Sequence, residues 1–74
     1  MERYLNVSGD SGVTRYDMGP DFIRVQFQDA TIYVYDHACP GKHHVDRMKE
    51  LAASGRGLGT YISRCVRKAY ARKE

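Results

Sequence analysis

Several ordinary features are scarce in this chain, and each scarcity narrows what it can be. Two cysteines, Cys39 and Cys65, are too few for a disulfide framework. Both are expected as free thiols, with Cys65 a small buried hydrophobe on a helix and Cys39 in a loop. No apolar run approaches the ~18 residues of a membrane span, so no membrane is expected as partner. The opening MERYLNVSGD lacks the apolar core of a secretory signal, which predicts a cytoplasmic protein. There is no internal repeat, linker or low-complexity tract, and 74 residues allow one domain, residues 1–74, with a small core. Acidic residues are rare toward the end. Residues 54–74 hold six Lys/Arg and one Glu, a net +5, whereas residues 1–53 hold six Lys/Arg and eight Asp/Glu, a net −2.

What is present reads as an ordinary α+β domain, 42% hydrophobic and 28% charged. Gly12–Asp17 predicts a first strand, closed by the turn Asp17-Met18-Gly19-Pro20-Asp21. Phe22–Gln28 predicts a second, with Ile23, Val25 and Phe27 alternating against Arg24, Gln26 and Gln28. Thr31–Asp36 predicts a third. Cys39-Pro40-Gly41 ends it, and a helix follows over about Lys42–Ala53 with Val45, Met48, Leu51 and Ala52 facing inward. After the glycines of Gly55-Arg56-Gly57-Leu58-Gly59, the residues Leu58, Tyr61, Ile62, Cys65, Val66, Ala69 and Tyr70 predict a second amphipathic helix running to Tyr70. Its opposite face carries Arg64, Arg67, Lys68 and Arg72. The expected architecture is β-β-β-α-α, a three-stranded antiparallel meander with two helices packed on one face.

In the strand TIYVYD, Ile32 and Val34 lie on one side, and Tyr33 and Tyr35 on the other. A two-residue loop, Asp29-Ala30, would send the tyrosines outward beside Arg24. A three-residue loop, Gln28-Asp29-Ala30, would pack them with Ile23 and Val25 and place Val34 beside Arg24. Both turns want a positive φ at Ala30, at a cost of roughly 1–2 kcal/mol. The three-residue loop is the favoured reading, making the tyrosines half-buried packing residues with hydroxyls at the rim.

These residues together resemble the KTSC-domain proteins, a short module found at the C-terminus of some lysyl-tRNA synthetases and as small stand-alone bacterial and phage proteins. The resemblance spans about Ser8 to Tyr70 and is carried by Tyr16-Asp17, Ile23-x-Val25-x-Phe27, Tyr33-x-Tyr35-Asp36, Gly55-Arg56-Gly57-Leu58, and Tyr61-Ile62 with Arg64, Val66 and Arg67. It implies the β-β-β-α-α fold and a function unassigned in the family, for which the synthetase context suggests RNA binding. The chain departs from the pattern at Ala30, at Leu58 where many members carry lysine, and over His37–His44.

Four groupings could carry chemistry. The basic set Arg56, Arg64, Arg67, Lys68, Arg72 and Lys73 could track a phosphate backbone, with the glycine-rich turn offering anion-binding N–H groups at a helix start. Its bland reading is a solvated face complementing a helix dipole. Tyr33 and Tyr35 with Arg24 could stack bases, against the register argument for packing. His37, Cys39, His43 and His44 lie within eight residues, but lack the paired spacing of a zinc site. Cys39 beside a histidine has no orienting third group, so neither an enzyme nor a cofactor is expected. The expected function is a non-enzymatic accessory module binding RNA or DNA through Arg56, Arg64, Arg67, Lys68, Arg24, Tyr33 and Tyr35, with weak sequence preference. The rival is a protein-interaction module of phage or mobile-element type, whether a homodimer or a binder of an acidic partner.

Overall fold

The computed structural model describes residues 1–6, 12–66 and 68–74. At its centre is the hairpin of β3 (Phe22–Phe27) and β4 (Ile32–Asp36). The loop has three residues. Ala30 N–H bonds Phe27 O and Phe27 N–H bonds Thr31 O, each at 2.9 Å, and Ala30 takes the left-handed conformation at φ 70°. The Asp29 carboxylate receives the Thr31 N–H at 3.0 Å, a bond that holds its pKa below the usual carboxylate range. Ile23 therefore opposes Tyr35, Val25 opposes Tyr33, and Arg24 opposes Val34. Cross-strand partners share a face, so the tyrosines lie with the apolar residues of β3.

β2 (Val13–Met18) pairs antiparallel with β3, with an irregularity between Val13 and Arg15. That bulge shifts the alternation by one residue, so that both Val13 and Tyr16 reach the core. β1 (Glu2–Arg3) pairs with β2. The next residue, Tyr4, is buried against Tyr16 and accepts the Leu58 N–H on its hydroxyl at 3.2 Å. Tyr4, which precedes the first strand predicted from sequence, is thus a piece of the core.

α1 (Lys42–Ser54) buries Val45, Met48 and Ala52 and half-buries Leu51, the expected stripe. It ends at Gly55, φ 78°, whose N–H closes onto the carbonyls of Leu51 and Ala52. A Cβ here would sit 2.6 Å from that of Leu5, so both conformation and close approach demand glycine. Lys49 Nζ donates to Gly19 O at 2.7 Å, tying α1 to the β2–β3 turn.

The second helix is shorter than its sequence pattern predicts. α2 covers Leu58–Tyr61 and continues as a π-helical stretch over Ile62–Val66. Leu58, Ile62 and Val66 are buried, and Cys65 is exposed rather than buried. A strict four-residue spacing drifts by about 40° per step on a 3.6-residue helix; the wider π turn absorbs that drift and keeps Ile62 and Val66 inward. Helix does not continue to Tyr70. Instead the chain returns as β5 (Arg72–Lys73), pairing antiparallel with β4 at Tyr33 and Val34. Ala71 N–H bonds Val34 O, and Glu74 and Ile32 exchange backbone bonds. Satisfying the open edge of β4 supplies bonds that one more exposed helical turn would not.

The described residues thus form a small α+β domain with a five-stranded antiparallel sheet in the order β1-β2-β3-β4-β5. Three strands were expected; the two added are edge strands of two residues each, too short for a periodic signal. The buried residues of α1, α2 and the π-helical stretch join Ile23, Val25, Tyr35, Val13 and Tyr16 in one cluster, so both helices cover one face. Val34 lies on the other face yet is only 2% exposed. Its cross-strand neighbours are Arg24 and Arg72, whose guanidiniums both reach Glu74. With their heads held together, the aliphatic stems flank and cover it.

Candidate nucleic-acid interface

Tyr33, on the helix-covered face of β4, is the middle of a row of rings. Phe27 meets it edge-on with centroids 5.4 Å apart, and Tyr70 meets it tilted at 4.8 Å. Each of the three is half-buried. They line an open cleft of about 560 Å3, walled by Ile62, with Tyr35 at its base and Lys68, Gln28 and Asp29 also lining it. The departure of the chain from helix after Val66 is what swings Tyr70 onto Tyr33. β5 then sets Lys73 on the same face, opposite Tyr33, with its Nζ 5.9 Å from the ring centroid.

The predicted site residues divide. Tyr33 and Lys68 share the cleft. Tyr35 is 1% exposed, so its ring packs rather than stacks on a ligand, which corrects its placement among binding residues. Burial pushes its hydroxyl pKa well above the ordinary tyrosine value, keeping it neutral. Arg24 is corrected too. The three-residue loop puts it on the opposite face from Tyr33, where it pairs with Glu74 at 2.6 Å and Asp17 at 3.5 Å. Hydrogen bonds from Arg24 and then Arg72 hold the Glu74 carboxyl below its usual pKa.

Arg56 stands exposed in the turn between α1 and α2, and Arg64 is exposed on the π-helical stretch; neither lines the cleft. Arg67 lies outside the described residues. Arg64, Lys68 and Arg72 do not share a helix face, because Lys68 follows the helix and Arg72 is in β5. In the glycine-rich turn, the Leu58 N–H is already taken by the Tyr4 hydroxyl. Among the described residues no carboxylate lies within ion-pair distance of Arg56, Arg64, Lys68 or Lys73.

The histidine and cysteine set is dispersed. His44 Nδ1 lies 2.7 Å from the Tyr61 hydroxyl, joining α1 to α2. Cys39 Sγ lies 3.7 Å from Tyr70 O, and His37 Nε2 is buried without a hydrogen-bond partner among the described residues. No group of three or more His, Cys, Asp or Glu among the described residues is placed to hold a metal ion, and no described helix is long and apolar enough to cross a membrane.

Sequence reasoning put Phe27 and Tyr70 in the core and left Lys73 without a role beyond its charge. The alternation of β3 and β4 does place Phe27 and Tyr33 on one face, but Tyr70 and Lys73 join them only through β5. No family model matches the chain, and neither does any curated protein or solved structure.

Proposed function

We propose that this domain is a non-enzymatic accessory module that binds nucleic acid, RNA or DNA, through its basic C-terminal segment and the adjoining aromatic cleft. The observation that carries this reading is the juxtaposition of Lys68 and Lys73, neither paired with a described carboxylate, with the half-buried rings of Tyr33, Tyr70 and Phe27. Lysines neutralise phosphates and release counterions, whereas aromatic faces accept bases of any sequence. The resemblance to KTSC-domain proteins belongs to the same proposal and supports RNA as the natural form. Arg64 and Arg56 extend the positive field without lining the cleft, and so steer rather than hold.

The test is fluorescence anisotropy with labelled single- and double-stranded RNA and DNA at low and moderate salt, beside a variant carrying Lys68→Glu and Lys73→Glu. The expected result is binding that weakens steeply with salt and is lost in the variant, its circular dichroism unchanged. Absence of binding at low salt by the folded protein overturns the reading.

A second reading, interaction with an acidic protein or a second copy of the chain through the basic face, is favoured by one observation: Arg56 and Arg64 are exposed outside the cleft, with no carboxylate among the described residues within ion-pair distance. It predicts capture of acidic polypeptide with no competition from polynucleotide.

A further inference from the structure

We infer that the cleft between the β3–β4 loop and Tyr70 takes an unpaired nucleobase, so that the strand this domain holds is single-stranded. The inference rests on the nucleic-acid reading above and narrows its partner.

The shape of the cleft comes first. Its volume of about 560 Å3 is in the range of small-molecule sites, roughly 300–1,000 Å3. Three rings and Ile62 supply apolar wall, with Tyr35 beneath. A flat aromatic guest suits such a wall, because rings pair by offset or edge contacts at centroid distances of about 4.5–7 Å, the geometry that Phe27, Tyr33 and Tyr70 already adopt with one another.

Charge then orients the guest. Asp29, a carboxylate held in its ionised form by the Thr31 N–H, lines the cleft beside the Gln28 amide. A phosphate driven into the cleft would meet that carboxylate, whereas the amino and imino groups of a base edge would donate to it. The cations flank this carboxylate: Lys68 lines the C-terminal wall of the same cleft, and Lys73 stands beside Tyr33 on the edge strand, near enough for its charge to act on Asp29. Base inward and phosphates toward the two lysines is the arrangement that satisfies both signs. A duplex cannot adopt it, since its bases are paired and stacked on both faces and present only their edges, in the grooves. Entry requires a base that is free or flipped out at a cost of a few kcal/mol.

The experiment compares three labelled probes at fixed low salt: a mixed-sequence single strand, its duplex, and an abasic strand of the same length. The expected result is that the single strand binds at least about tenfold tighter than the abasic strand or the duplex, in line with stacking of one or more bases. Tyr33→Leu should lower single-strand affinity at least about tenfold, in line with loss of a stacked base. Because that variant could be destabilised, a second measurement uses the unaltered protein: titration with cytidine and adenosine monophosphates should shift the amide resonances of Gly12, Gln28 and Lys68. Equal, salt-sensitive binding of all three probes overturns the base-cleft inference and leaves the nucleic-acid reading standing. Nucleotide-induced shifts confined to residues away from the cleft also overturn it. Failure of every probe to bind overturns both.

Discussion

Replacing Ala30 with glycine should stabilise this domain. Ala30 sits at φ 70° at the end of a three-residue loop, where an L-residue pays roughly 1–2 kcal/mol for the left-handed conformation. Glycine removes that strain but loosens the unfolded chain, at a cost of about 0.4–1 kcal/mol. Ala30 is exposed, so its methyl group contributes little packing to offset the change. The net gain is about 0.8 kcal/mol. Unfolding entropy of about 2.1 cal/mol/K per residue over 74 residues is roughly 0.16 kcal/mol/K, so Tm should rise by about 5 °C. Thermal melts by circular dichroism, with urea titrations to confirm an unchanged m-value, measure this directly. Ala30→Val supplies the opposite control, because a β-branched residue at positive φ is more strained still, and its Tm should fall. A fall in Tm for Ala30→Gly, at constant m, would refute the reasoning: residue 30 would then not be strained in solution, and the hydrogen-bonded loop that sets the positions of Gln28 and Asp29 would have to be redrawn.

Two further predictions follow from the other finds of the fold. Tyr4→Phe keeps the ring but leaves the buried Leu58 N–H without its acceptor, and should cost about 1–3 kcal/mol in urea unfolding; an unchanged midpoint would mean that water reaches the start of α2. Arg24→Ala should uncover Val34 and cost about 1 kcal/mol, whereas Arg24→Met keeps the stem, loses only part-exposed ion pairs and should cost less than about 1 kcal/mol. Equal losses would show that the ion pairs, not the stem, hold that face. Neither Arg24 variant should change affinity for nucleic acid, since Arg24 lies across the sheet from the cleft.

How far the sequence reads depends on how local the deciding contact is. The three central strands and α1 follow from alternation, turn residues and a helical stripe, all within a dozen residues, and the structure places them within about two residues of their expected bounds. Register follows from the choice of loop, and the favoured three-residue loop is the one present. The two-residue edge strands were invisible because their cause is not local: β1 exists because β2 offers it an edge and because Tyr4 must reach Leu58, 54 positions away.

The C-terminal segment shows the same principle at greater consequence. Leu58, Tyr61, Ile62, Cys65, Val66, Ala69 and Tyr70 satisfy an amphipathic helix on paper, but Cys65 is exposed, and the last two positions lie beyond the helix. The pattern cannot distinguish a residue that is apolar because it faces the core through a helix from one that is apolar because it meets a sheet edge. Tyr70 is of the second kind. Continued helix would have carried Arg64, Lys68 and Arg72 along one surface and offered a phosphate track. The observed return of the chain gives that up. It spends Arg72 and Glu74 on covering Val34, sets Lys73 beside Tyr33, and leaves Lys68 and Tyr70 lining a cleft that a straight helix would not have formed. The binding surface proposed for this domain is therefore a product of the turn at Lys68, and its chemistry is that of aromatic rings with cations alongside rather than of a row of cations alone.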